Sequence, residues 1–195
     1  WLHINRTEGC TQKAMNWAAE NGHLDIVEWL HANRSEGCSE QAMDVAAEMG
    51  HLSVVEWLHA NRPEGCTKQA MDRAAVHNHL PVVKWLLANR SEGCTSKAMD
   101  KAAARGLLPV MELLHAECSS AHWTRSALEG AARSGYLSVL EWLCDTQHPA
   151  RFHEWTNVTS EKGNDLLSTA IRHGHLPVVA WLFSKHLARL LDTVT

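Results

Sequence analysis

Several sets of side chains with ligating or catalytic chemistry recur along this chain at one interval. Cys10, Cys38, Cys66 and Cys94 stand 28 residues apart, and thiolates can bind zinc, form disulfides or act as nucleophiles. His23, His51, His79 and His175 each follow a glycine or asparagine, and an imidazole so placed could serve as a general base. Asp44, Asp72 and Asp100, with Asn16 and Glu129, make a column of oxygen donors for which calcium is the functional reading. Glu8, Glu36, Glu64 and Glu92 make another beside Arg6, Arg34, Arg62 and Arg90.

Geometry argues against each of these chemistries. Equivalent positions of neighbouring units are expected about 10 Å apart, beyond the reach of a disulfide. Zinc sites usually pair cysteines two to four residues apart, and no two cysteines here are that close, so pairing with His3, His31 or His59 would be needed. Calcium needs about six oxygens converging on one loop, which one carboxylate per helix does not supply. Catalysis needs a singular constellation, whereas a residue present in every unit is structural. The expectation is therefore no catalytic residue, no metal and no cofactor, with the thiols reduced and buried as small apolar groups. The histidines become structural hydrogen-bonding elements, and the acidic columns supply ion pairs and hydrogen bonds between repeats. Cys118 and Cys144 add no pairing rule, and reduced thiols favour an intracellular setting, cytoplasmic or nuclear.

The elements that must position these residues follow from the same interval. Trp1, Trp29, Trp57 and Trp85 keep the 28-residue beat, and Trp142 and Trp181 follow after longer steps. Thr11, Ser39, Thr67 and Thr95 stand where an N-cap hydroxyl would accept from orphan amides. Ala14, Met15, Ala18 and Ala19 then make one helical face, repeated as Ala42, Met43, Ala46 and Ala47. Gly22, Gly50, Gly106, Gly135 and Gly174 end that helix in the left-handed region, with Asn78 substituting in the third unit. A second helix opens near Asp25, Ser53, Pro81, Pro109, Ser138 or Pro177 and closes at Arg34, Arg62 or Arg90, before Gly37, Gly65 or Gly93 turns the chain. Short helix pairs cannot bury their own apolar faces, so they must stack. The prediction is an all-α helix-turn-helix solenoid of six stacked pairs from Thr11 to near His186. The tryptophans of the second helices are expected to pack between repeats rather than form a binding ladder.

These units resemble ankyrin repeats, through AAENGHLDIVEWL from Ala18 to Leu30 and AAEMGHLSVVEWL from Ala46 to Leu58. The resemblance implies structural GH histidines and a protein-binding role. The interval of 28 is shorter than the family's roughly 33, the Pro-Leu-His of its signature is absent, and a tight turn is expected in place of the hairpin finger. One repeat domain is expected over 1–195, a fragment of a longer protein with a half repeat at 1–10 and an irregular insertion near 145–163.

A formal net charge of -4 disfavours a general grip on nucleic acid, and no apolar run approaches the roughly 18 residues of a membrane span. Positions that differ between units are those stacking does not dictate. Lys13, Trp17 and Glu20 form one such stripe on a first helix, continued by Gln41, Val45 and Glu48, then Gln69, Arg73 and Val76, then Lys97, Lys101 and Ala104, then Ser126, Gly130 and Arg133. Lys68, His77, Arg105, Arg125 and Arg172 flank it and make the later units basic. The predicted partner-binding residues are Lys13, Trp17, Glu20, Glu48, Lys68, Arg73, Lys97, Lys101, Arg105 and Arg133. The expected role is a monomeric scaffold for an acidic or phosphorylated protein or peptide, with no small-molecule substrate and no membrane. A spacer without its own partner is the alternative, and a nucleic-acid surface a weaker one. An enzyme would need a unique site, for which only His148, His153 and Glu154 in the insertion offer material.

Overall fold

The computed structural model describes residues 11–146 and 166–192, with side chains described up to 185. The expected half repeat at 1–10 and residues 147–163 of the insertion, with His148, His153 and Glu154, lie outside the described residues. Twelve α-helices and no strands occur among those that are described. They alternate as first and second helices of six pairs, which fits the expected helix-pair repeat solenoid. The chain divides into two compact units, residues 1–95 and 96–195.

The first unit holds α1 (Gln12–Glu20), α2 (Leu24–Asn33), α3 (Glu40–Met49), α4 (Leu52–Asn61), α5 (Lys68–Val76) and α6 (Leu80–Asn89). Helices α1, α3 and α5 pack side by side, as do α2, α4 and α6. Small residues make this possible: Ala42, Ala46 and Ala47 on α3 are completely buried, with Met43 filling the space between layers. Val54, Val55 and Leu58 bury the inner side of α4. The second unit holds α7 (Ser96–Ala104), α8 (Leu108–Glu117), α9 (Arg125–Ser134), α10 (Leu137–Thr146), α11 (Leu166–Arg172) and α12 (Leu176–Asp192). There α7, α9 and α11 pack in a row, and the last helix runs to Asp192 rather than ending near His186.

Two polar clasps recur between neighbouring pairs. In the first, Asp44 is 4% exposed, and its carboxylate accepts from the Thr67 amide at 2.8 Å and the Thr67 hydroxyl at 2.6 Å. Asp72 does the same for Thr95, and Asp100, in the second unit, for Thr124. Asn16 replaces the carboxylate in the first junction, its amide donating to Ser39 Oγ at 2.9 Å while its oxygen accepts from the Ser39 amide. This corrects the N-cap expectation in part. Thr67 and Thr124 take the capping bond with their hydroxyls; Thr11 and Ser39 do not, and Ser39 is committed to Asn16 instead. Glu129, placed in the same column by sequence, pairs with Arg125 one helical turn away at 2.8 Å. A longer side chain on an exposed flank finds a partner on its own helix.

The second clasp uses the histidines, which are N-caps of the second helices, with Asp25 and Ser53 in the first turn. His51 Nε2 donates to the Glu20 carbonyl at 3.1 Å, and its ring lies against Gly22. A Cβ added to Gly22 would stand 2.6 Å from His51 Nδ1, and the glycine already has φ +72. The turn therefore requires glycine twice, for its backbone and for the next ring. In the second unit His175 repeats the arrangement on Gly135, donating to the Arg133 carbonyl at 2.8 Å, while Tyr136 takes the ring's place against Gly106. Asn78, with φ 62, is the one non-glycine residue in this conformation among those described.

Behind the turns, Arg62 pairs with Glu64 at 2.5 Å and donates back to His31 Nδ1 at 3.3 Å. His31 in turn meets the Trp57 ring edge-on at 5.2 Å. Arg90, Glu92, His59 and Trp85 repeat the set, and His115 and Trp142 the ring pair. The tryptophans thus take part in packing between repeats, as expected, although Trp29 is 47% exposed.

Candidate partner-binding surface

The clasps turn the same side of every first helix toward its neighbours and leave a narrow outer arc. In the first unit this arc carries six of the predicted binding residues. Lys13 is exposed on α1, Trp17 is 61% exposed, and Glu20 is half-buried one turn later. Together with Asn16, Gln41 and Val45 they line a depression of about 150 Å³. Lys68 is exposed at the start of α5. Glu48 and Arg73 are held by each other across α3 and α5 at 2.6 Å, and Arg73 also donates to Gln69. These two charges neutralise one another, so the stripe through them is less cationic than the sequence suggests.

Three positions of the expected stripe are not on the outside. Val45 and Val76 are 7% and 8% exposed, and Gly130 is buried against Ala104, whose Cβ would lie 2.6 Å from an added Cβ. A helix flanked on both sides exposes less than a full stripe, and the shoulders of the arc fall under the neighbours. A larger depression of about 630 Å³ is lined by Glu40, Gln41, Asp44, Glu64, Thr67 and Arg73 among others. Gln41 and Arg73 belong to the expected stripe, whereas Asp44, Glu64 and Thr67 are framework residues that recur between repeats.

In the second unit Lys97 and Lys101 are exposed on α7, Arg105 directly after it, and Arg133 on α9. The Arg105 amide still bonds to the Lys101 carbonyl, which keeps these three side chains in helical register. Arg172 is exposed on α11. The close approach of α7 and α9 at Ala104 and Gly130 brings the two basic helices together.

The groups with reactive chemistry are held in structural roles. Burial pushes the Cys38 and Cys144 thiols up and the Cys66 thiol up to about 11, which suppresses the nucleophilic thiolate. Hydrogen bonding to Arg34 holds Glu36 below the ordinary carboxylate range. Desolvation works to raise Glu64 and Glu92, but Arg62 and Arg90 outweigh it and both carboxyls end lowered. Burial pushes His79 down. Among the described residues no three His, Cys, Asp or Glu side chains converge to hold a metal ion, and no helix is long and apolar enough to cross a membrane.

Residues 15–100 match the family model for ankyrin repeats, in 3 copies. No curated protein matches the sequence.

Proposed function

From the ankyrin repeats matched over residues 15–100 we propose that the chain is a monomeric, non-catalytic scaffold that binds an acidic or phosphorylated protein segment on its outward first-helix face. Ankyrin repeats are generally protein–protein interaction modules. The observation that carries the finer reading is the cationic face of the second unit. Lys97, Lys101 and Arg105 in one helical register, with Arg133 beside them, all point outward. Cations on an outer arc that packing does not dictate favour anionic partners and speed their encounter. Trp17, an exposed aromatic beside a small depression, supplies the first unit with the kind of anchor that dominates binding energy. An intracellular setting goes with this reading, supported by cysteines 38, 66, 94, 118 and 144 standing outside any disulfide.

The test is affinity capture at controlled salt with the chain and with a variant carrying Lys97→Glu, Lys101→Glu, Arg105→Glu and Arg133→Glu, the two matched for helicity. Partners lost from the variant alone, with an acidic segment of the partner by itself binding the unaltered chain and not the variant, support the reading. Identical partners for both overturn it for the basic face, and a folded chain that captures nothing favours a spacer.

A further inference from the structure

We infer that α7 is a docking line for an extended segment of a partner protein whose Asp or Glu residues alternate along its sequence, lying lengthwise along the helix. The inference rests on the proposed binding role and names the partner that the second unit fits. Lys97, Lys101 and Arg105 are four residues apart, so at about 1.5 Å of rise per residue their Cα atoms step by about 6 Å. Alternate residues of an extended chain step by about 6.6 Å and point the same way. The accumulated mismatch over two steps is on the order of 1 Å, within reach of flexible lysine and arginine side chains.

Other anionic occupants fit less well. An acidic helix with carboxylates every four residues would match the spacing too, but a docked helix needs an apolar groove for its other contacts. None of the exposed large hydrophobic side chains lies on α7 or α9. The exposed positions there are Lys97, Lys101, Arg125, Ser126, Arg133 and Ser134, with Arg105 just past the end of α7, and Gly130 adds no side chain. Single-stranded nucleic acid binds where bases can stack on aromatic rings, and these two helices expose none. A phosphate group calls for convergent, forked arginines. Two of the three cations here are lysines, and successive cations stand a helical turn apart, so each suits a single carboxylate. The extended segment needs only what α7 provides.

The measurement is fluorescence anisotropy with three labelled probes at about 50 mM salt. They are a ten-residue peptide alternating Glu and Ser, its isomer with all Glu in one block, and a thymidine oligonucleotide of equal charge. The alternating peptide is expected to bind about threefold or more tighter than the block isomer. Lys101→Ala, with helicity unchanged, should weaken it by about two- to fivefold, the range of one exposed ion pair. Equal binding of the two isomers, or an oligonucleotide that binds as tightly, overturns the alternating register while leaving an anion-binding face in place. Failure of all three probes at millimolar concentration overturns the basic-face reading as well. The isomer comparison needs no protein variant, so it stands even if a substitution disturbs folding.

Discussion

Replacing Asp44 by alanine should break the junction between the second and third helix pairs, and the structure sets the size of the loss. The carboxylate is buried and accepts two hydrogen bonds from Thr67, one from the amide and one from the hydroxyl. Hydrogen bonds to a charged group contribute about 1.5–3 kcal/mol each. Thr67 is half-buried, so water recovers part of both, and about 2–4 kcal/mol is expected. Asp44→Asn should cost distinctly less, about 1 kcal/mol, because Asn16 already performs this task against Ser39 with its amide reversed toward the hydroxyl. Urea unfolding followed by far-UV circular dichroism at pH 7 reads both, with exposed Glu56→Ala as the control. Repeat stability is a sum of units and interfaces, so the alanine variant should also broaden the transition. An alanine variant within about 0.5 kcal/mol of the control, or an asparagine variant as damaging as alanine, would refute the clasp.

The histidine clasp makes a paired prediction about two glycines. Gly50→Ala meets both a left-handed backbone (φ +79) and the His79 ring at 2.5 Å, whereas Gly174→Ala has φ +77 and nothing within 4 Å. The second should cost only the backbone term of about 1–2 kcal/mol and the first clearly more; equal losses in urea midpoint would count against ring packing. Acidification should weaken the fold in two stages. His79 is lowered in the fold, so the unfolded chain takes its proton first and stability falls as pH drops below about 6.5. Glu36, Glu64 and Glu92 are also lowered, so their contribution is present above about 4.5 and is lost as pH falls through their folded values. Unfolding midpoints from pH 8 to 3 should show both stages, and His79→Tyr, which copies Tyr136 over Gly106, should remove the first. Stability that rises between pH 7 and 5 would contradict the sign.

Much of this was legible because the chain repeats itself. Gly22, Gly50 and Asn78 marked a left-handed turn through what could replace what, and Asp44, Asp72 and Asp100 announced a shared role between repeats. Spacing along one helix could not show how two neighbours share its flanks. Val45 and Val76 were therefore read as surface and are buried, while Trp17, in the register of Val45, is 61% exposed. The Arg73–Glu48 pair was missed for the same reason: its partners are 25 residues apart, on helices whose mutual rotation the sequence does not state. The histidines were recognised as structural, but their reach back to the previous repeat's carbonyl depends on the turn's three-dimensional path.

Because each clasp of the first unit joins a repeat to its immediate successor at positions that recur every 28 residues, a whole repeat can be removed there and its neighbours still find partners. Excising Trp29–Glu56 would bring His79 to Gly22 and Thr67 to Asn16, leaving each donor with an acceptor already tried elsewhere in the chain. A gene encoding such a protein can lengthen or shorten by 28 codons while keeping this junction chemistry, so its reach can evolve separately from the chemistry of its surface.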